Sequence, residues 1–558
     1  MKVHIAQSSS HPQRVLIIGL DGVTWDVLRP LMDEGRMPRL RRVVEEGASG
    51  VLRSTTPPIT PAAWTTFLTG KQPGRHGIID FERYDVYTNM LAFNSTRCLD
   101  NVRNLWRILG DHDLKVGSVN VPMTYPALPV NGFLVSGFET PGPGSDFVHP
   151  PELKAEILSR WPDPTLRAKW RRSTFRGESV FVENLDYISR SFHQGASMTK
   201  WLGERFGWDA LMVVLKLTDN LQHKAWKYID PRWSGRNPGR CELTKACFTE
   251  ADRAVGTLLD YAKANDASVL IVSDHGHGSL EGKIHVNRLL EQWGFLVLHG
   301  GGAQETTRIR HIWDRLRGKT KRFSRAGNIA DDLAVDFEQT RACVMHAGMA
   351  GFLYLNLRGR QPCGIVEPNN YETLRNEIRH RLLSAESRIR DPEGRTIQLF
   401  TEVHKPEELY GCSREAQPWM PDLILIPHES LAVVRKIRGS GVVKWLPYSR
   451  IEGTHRPDGI IAACGPGIGR AAEIRTHIVN CAPTVLAMLG LPVPEDMEGR
   501  VIAELFEVPP QVRYESAAVL AQATARAERS SSQAGVDVYS EAELQKVTER
   551  LSDLGYLE

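Results

Sequence analysis

SVLIVSDHGHG, residues 268–278, runs a short apolar strand straight into Asp274, with His275 beside it. Two other stretches end the same way: VLIIGLDG (15–22) reaches Asp21 and LMVVLKLTD (211–219) reaches Asp219. Apolar runs of strand length recur at Val15–Leu20, Val116–Val121, Leu211–Leu217, Val269–Val272, Asp422–Ile426 and Gly459–Ala463, with helical stretches between them. That alternation predicts an α/β fold, a mostly parallel central sheet covered by helices on both faces. After the first run, Pro38 opens a helix, Leu40, Val43 and Val44 recur at helical spacing, and Gly47 stops it, which completes a βα unit. In a parallel sheet the three carboxylates gather at one edge, where ligand sites of open α/β sheets lie. They repel one another unless something positive sits among them. A pair of divalent metals is the simple answer. Carboxylate mixed with imidazole suits Zn²⁺ or Mn²⁺. The candidate imidazoles are His223, four residues after Asp219, His275, and His455 in GTHRPDG.

The rest of the chain narrows the class. Its 558 residues carry 69 Lys and Arg against 66 Asp and Glu, a net charge of +3, which proposes neither a nucleic-acid binder nor an acidic tail protein. With 41% hydrophobic and 24% charged residues the composition is globular, and disordered and fibrous classes are excluded. The eight cysteines form no CxxC pair, so neither a disulfide framework nor a thiolate zinc site is indicated, and a reducing compartment fits. The start MKVHIAQSSSHPQR is polar and no later run reaches a membrane-spanning length, so a soluble cytoplasmic protein is expected.

The informative segments lie far apart in sequence, which points to one large catalytic core over 14–296 and 421–505. Between them, 297–420 reads as an insertion or cap. It contains a basic stretch, Arg308 to Arg325, with eight Lys and Arg against Asp314 alone. That stretch reads as a solvated helix face or flexible loop ahead of a patch for anionic lipid, and specific nucleic-acid binding is not expected. Residues 506–558 read as a linker followed by a docked helix, in which Ser540 and Glu543 form a capping box and Leu544, Val547 and Leu551 share a face.

The segment TTPPITPAAWTTFLTGKQPGRHG, between Asp21 and the second strand, is dense in hydroxyls and offers a nucleophile at a helix start. Taken in order, GLDG (19–22), T-x-x-x-W-T-T-x-L-T-G (60–70), PGRHGI (73–78), TDNLQH (218–223), SDHGHG (273–278), GTHRPDG (453–459) and APTVLAMLGLPVPEDMEGR (482–500) resemble the alkaline phosphatase superfamily. The resemblance covers roughly residues 14–505. Within that superfamily the similarity is to the type I phosphodiesterase/nucleotide pyrophosphatase branch, and especially to its bacterial and archaeal phosphohydrolase/phosphomutase group. The resemblance implies that Asp21, Thr60, Asp274 and His275 bind one zinc, that Asp219, His223 and His455 bind the other, and that Thr60 is the nucleophile. It also implies a small-molecule phosphate ester as substrate, with manganese as an alternative metal.

One departure is Ala63, where nucleotide pyrophosphatases place an asparagine that holds a phosphate oxygen. Lys71, Arg75 or Lys216 are candidates to replace it, and Trp64 is a candidate pocket wall or a packing residue. His76 and His277, each beside glycine, read as structural histidines. The reading that results is a metal-dependent phosphodiesterase acting through a phospho-threonine intermediate. A phosphomutase or phosphomonoesterase on the same site is the alternative within enzymes. A non-catalytic scaffold that holds anions is the alternative of another class, and a sulfatase is disfavoured because no Cys/Ser-x-Pro-x-Arg signature surrounds Thr60.

Overall fold

The computed structural model describes residues 13–100, 102–164, 177–299, 335–412, 417–437, 441–516 and 538–554. Its central sheet has nine strands: β1 (Arg14–Leu20), β2 (Ala48–Arg53), β3 (Val116–Val121), β4 (Gly132–Ser136), β5 (Val148–His149), β6 (Ala210–Leu215), β7 (Ala267–Val272), β8 (Asp458–Cys464) and β9 (Ala471–His477). Their spatial order is β9-β2-β8-β7-β1-β6-β3-β4-β5. β1 is parallel to both β6 and β7, β3 is parallel to β4 and β6, and β2 is parallel to β9. β8 runs against both β2 and β7, and β5 runs against β4. The sheet is therefore mostly parallel.

The helices that matter below are α1 (Thr60–Thr69), α2 (Glu178–Phe206), α3 (Leu217–Ile229), α4 (Pro238–Ala264), α5 (Cys481–Met488) and α6 (Glu541–Leu554). Strand β1 explains the layering, because it is apolar on both sides. Leu16, Ile18 and Leu20 enter one core with Phe181 and Phe192 of α2 and Phe248 and Val255 of α4. Val15 and Ile17 enter another with Trp64 and Phe67 of α1 and Val485 and Leu486 of α5. A strand buried on both faces needs helices on both faces, and the near-continuous apolar pattern is its signature.

A third core lies apart from these two. It forms around a four-stranded antiparallel sheet ordered Ala342–Ala347, Gly351–Leu355, Leu423–Pro427, Phe400–His404. The helix Tyr371–Leu383 packs against it through Leu374, Ile378 and Leu382. Asp422–Ile426, expected in the central sheet, belongs here instead, so this smaller unit extends past residue 420. The apolar run marks a buried strand but carries no information about which sheet buries it. Asp422 at its start accepts hydrogen bonds from Arg360, from the Tyr371 hydroxyl at 2.6 Å and from the backbone N–H of Leu355 at 2.6 Å. The basic stretch 308–325 lies outside the described residues. Among the described residues no helix is long and apolar enough to cross a membrane.

Helix α6 sits on the main core through Val547 and Leu551, with Ser540 N–H donating to Glu543 Oε2 at 2.9 Å. Its Arg550 donates to the carbonyls of Phe138, Thr140 and Pro141, pinning the loop after β4.

Candidate metal centre

The register of the sheet delivers the acids together. Gly19 pairs with both Val214 and Val272, so Asp21, two residues on, stands level with Lys216 and Asp274. Asp219 follows in the first turn of α3, and His223 lies one turn further along the same helix. His275 comes directly after Asp274, and His277 and His455 face each other across an antiparallel pair, Gly276–Leu280 with Glu452–Arg456. Thr60 is the first residue of α1. Pro57 and Pro58 precede it, and Pro61 occupies the first turn, where its missing N–H costs no helical hydrogen bond. That turn chemistry fixes where the helix begins and so where the Thr60 hydroxyl sits.

All seven residues carried over from the resemblance converge. His223 Nε2 lies 3.2 Å from Asp219 Oδ1, and His455 Nε2 lies 3.4 Å from the same oxygen. His275 Nε2 lies 3.3 Å from Asp274 Oδ2, 3.9 Å from Asp21 Oδ1 and 3.2 Å from Thr60 Oγ1. Asp274 Oδ1 accepts from the N–H of Gly22 at 3.1 Å. Thr60, Asp21, Asp219, Asp274 and His275 are fully buried.

His277, read from sequence as structural, belongs to the same cluster. Its Nε2 is 3.4 Å from Asp219 Oδ1. The signal was present in HGHG: His275 and His277 are two residues apart, and the strand that carries His277 begins at Gly276, directly after His275. Gly22, at φ +70°, makes room for it, since a Cβ there would lie 2.7 Å from the His277 ring.

The fit to cations follows from tautomers. Each cage imidazole places Nδ1 on a backbone carbonyl: His223 on Gly453 at 2.9 Å, His275 on Gly276 at 3.1 Å, His277 on Gly22 at 2.7 Å and His455 on Pro58 at 2.8 Å. A carbonyl only accepts, so Nδ1 carries the proton and Nε2 presents a lone pair. The Nε2 atoms of His223 and His455 are 3.0 Å apart, lone pair towards lone pair, with a carboxylate oxygen beside them. Such a set is repulsive until a cation enters it. Asp21 Oδ1, Asp274 Oδ2 and His277 Nε2 are buried with no hydrogen-bond partner, at a cost of about 1–3 kcal/mol each. Among the described residues, the groups whose ligand atoms come within 4.8 Å of one another are Asp219–His223–His277–His455 and Asp21–Asp219–His275.

The electrostatics agree. Burial pushes the Asp21 carboxyl up to about 7 and Asp274 well above the usual range, each raised further by neighbouring carboxylates. Burial also acts on Asp219, but the Lys216 ammonium and the surrounding imidazoles hold it well below. Burial lowers His275 and His277 and brings His455 down to about 4, keeping the imidazoles neutral and able to ligate. The three acids do not all ionise unless positive charge is added among them.

The sequence profile described as Type I phosphodiesterase / nucleotide pyrophosphatase matches residues 15–458. The chain belongs to that family. It is thereby a hydrolase of phosphoester bonds. No protein of curated function matches the sequence. Solved structures similar to this family member include human ectonucleotide pyrophosphatase/phosphodiesterase 5, at 12% identity and TM-score 0.48, covering 86% of this chain and 96% of that one. Phosphonoacetate hydrolase from Sinorhizobium meliloti 1021, in complex with phosphonoacetate, is 15% identical at TM-score 0.47, covering 84% and 94%.

The substrate-contact expectations fare differently in this phosphodiesterase-family chain. Lys71 and Arg75 follow the far end of α1, a ten-residue helix about 15 Å long. Lys71 pairs there with Asp496, and Arg75 lies 3.8 Å from Glu498 in a largely exposed setting. Neither reaches the cage. Trp64 is fully buried and its Nε1–H donates to Asp21 Oδ2 at 3.2 Å, so it orients a ligand candidate and lines no pocket. Gly19 permits this, because a Cβ there would lie 2.6 Å from the indole. Ala63 is fully buried and packed in the apolar core. Lys216 does reach the cage, with Nζ 2.5 Å from Asp219 Oδ2 and 3.6 Å from Asp21 Oδ1. Thr66 binds His76 Nε2 at 2.9 Å, which makes that histidine structural.

Proposed function

We propose that this chain is a two-metal phosphodiesterase that works through a phospho-threonine on Thr60. The observation that carries this reading is the position of the Thr60 hydroxyl: fully buried at a helix start and 3.2 Å from His275 Nε2, the nitrogen that also lies 3.3 Å from Asp274 Oδ2 and 3.9 Å from Asp21 Oδ1. Asp219, His223, His277 and His455 would hold one divalent cation, and Asp21, Asp274, His275 and Thr60 the other. Zinc or manganese suits that mixture of imidazole and carboxylate. Bound there, such a pair would supply Lewis acidity to the phosphoryl group.

The chain's own residues then set the course of the reaction. Thr60 Oγ1 attacks phosphorus, an Oγ1–P bond forms as the hydroxyl proton is lost to solvent, and the ester oxygen on the opposite side leaves with the electron pair of the broken bond and takes up a proton from solvent. Water cleaves the phospho-threonine from that vacated side, returning the hydroxyl to Thr60. Two in-line displacements retain configuration at phosphorus. Trp64 fixes Asp21 and the four backbone carbonyls fix the imidazole rings, so the constellation is preorganised before substrate arrives.

The test is a panel of aryl phosphate diesters and monoesters with metal-supplemented protein. The diester is expected to turn over faster. Thr60→Ala is expected to lose roughly a thousandfold or more in kcat with its metal content unchanged. Wild-type turnover by Thr60→Ala, or inversion at phosphorus in a chiral substrate, overturns the covalent route.

A further inference from the structure

Asp219 divides its carboxylate. Oδ1 faces the imidazoles of His223, His277 and His455 at 3.2–3.4 Å, whereas Oδ2 lies 2.5 Å from Lys216 Nζ. The same ammonium is 3.6 Å from Asp21 Oδ1, an oxygen of the other cage. Lys216 therefore stands where the two cages adjoin, touching one carboxylate from each. Its side chain is 2% exposed. The ring of Phe138 covers it, with Nζ 5.0 Å from the ring centroid, and Phe138 belongs to the loop that Arg550 of α6 pins by its carbonyls. A buried lysine held so firmly between two carboxylates is a fixed positive charge in contact with both metal cages.

We propose that Lys216 is the resident counter-ion of this centre: it holds Asp21 and Asp219 together in the metal-free protein and competes with the incoming metals for those same carboxylates. The proposal rests on the two-cage reading above. Its physical content is a pair of effects with opposite signs. Without the ammonium, three buried acids face one another with no cation among them, so the metal-free fold is weakened. Without it, a metal entering the cages no longer meets a fixed like charge within a few ångströms, so metal binding is strengthened. A lysine with a merely structural role lowers stability and loosens the cages together. Lys216 is in these terms a positioning residue, acting on substrate only through Asp219 and Asp21.

The experiment uses the full chain and Lys216→Met, which keeps the aliphatic stem and removes the charge. Thermal melting in chelator and Zn²⁺ titration against a fluorescent competitor chelator are measured on both. The expected result is a lower melting temperature for metal-free K216M together with a Zn²⁺ dissociation constant roughly tenfold or more tighter. Should K216M fail to fold, Lys216→Met combined with Asp21→Asn removes one acid along with the cation, and its Zn²⁺ affinity is compared with that of Asp21→Asn alone. The His-rich cage is intact in both of those proteins, and the doubly substituted one is expected to bind more tightly. An affinity that is unchanged or weaker without the lysine overturns the proposal. A wild-type protein that takes up no Zn²⁺ at all overturns the metal reading itself, and is thereby told apart from failure of the lysine's role.

Discussion

Two buried clusters in this molecule combine acids with imidazoles, and they are built differently. The first is the cage at the edge of the central sheet. The second joins Asp80 and Glu82 to His346, a residue of the four-stranded sheet, with His346 Nε2 3.4 Å from Asp80 Oδ2 and 3.9 Å from Glu82 Oε2. In both, burial drives the groups towards their neutral forms: Asp80 is pushed up to about 8, Glu82 up to about 7 and His346 down to about 3. Burial of acids beside histidine is therefore not what makes a metal centre. The cage adds two things. Its four imidazoles have their Nδ1 atoms committed to backbone carbonyls, so every Nε2 lone pair is aimed inwards. Its ligand atoms also converge, whereas among the described residues no converging group includes His346. In the second cluster a single imidazole faces two carboxyl groups that are themselves easily protonated. Its Nε2 is left without a hydrogen-bond partner there, as that of His277 is in the cage, so an unpartnered nitrogen does not separate the clusters and convergence of ligand atoms does.

The largest difference is expected at Asp219, because it belongs to both converging groups. Asp219→Ala should lose bound metal and turnover together, by roughly a thousandfold or more in kcat, since it removes a ligand and leaves the remaining imidazoles without their anion. Metal analysis by mass spectrometry and a diester assay check this. Retention of wild-type metal content by Asp219→Ala breaks the contrast between the clusters.

A smaller and more discriminating effect is expected from the two histidines that differ in kind. His277→Ala should weaken metal binding by about 10–100-fold while leaving a folded protein. His346→Ala should leave metal content and affinity unchanged. Equal losses in the two variants would mean that the second cluster also feeds the metal centre.

How much of this was legible in the sequence depends on what kind of signal each part carries. Asp21 and Asp274 were readable because a strand that runs into an acid has a fixed place in a parallel sheet; Asp219 was readable as the third acid, although its strand stops at Leu215 and the carboxylate comes from the first turn of α3. His223 was readable from its one-turn spacing to Asp219. His277 was passed over because a histidine between glycines has many structural uses, and only its pairing with His455 across the strand ladder decides the matter. Lys71 and Arg75 looked close to Thr60 in sequence, but a helix of ten residues carries them away from it. Lys216 was picked out as a positive group near phosphate. Its actual partners are the carboxylates, a geometry set by strand register that no local pattern encodes. Asp422–Ile426 was legible as a strand but not as a member of the smaller sheet, since partner choice in a sheet is a long-range property.

The smallest effect is one of pH, and it separates the clusters by charge alone. Asp80 has a folded-state value of about 8 against an ordinary 3.8, so the fold resists its ionisation. The stability tied to that proton is complete below about pH 4 and drains away as pH rises towards 8, with a slope of at most about 1.4 kcal/mol per pH unit. Asp80→Asn keeps an oxygen to accept from the Phe81 N–H, a contact of 2.6 Å in the wild type, and removes the ionisation. Denaturant melts are expected to give similar stabilities for wild type and Asp80→Asn at pH 4.5 and a more stable variant at pH 8.5. The gain should be the same in chelator as in Zn²⁺, because the protonated acid beside His346 needs no metal. A gain at pH 8.5 that disappears on adding Zn²⁺ would show that a cation already neutralises Asp80, and the two clusters would then be alike in the one respect that now separates them.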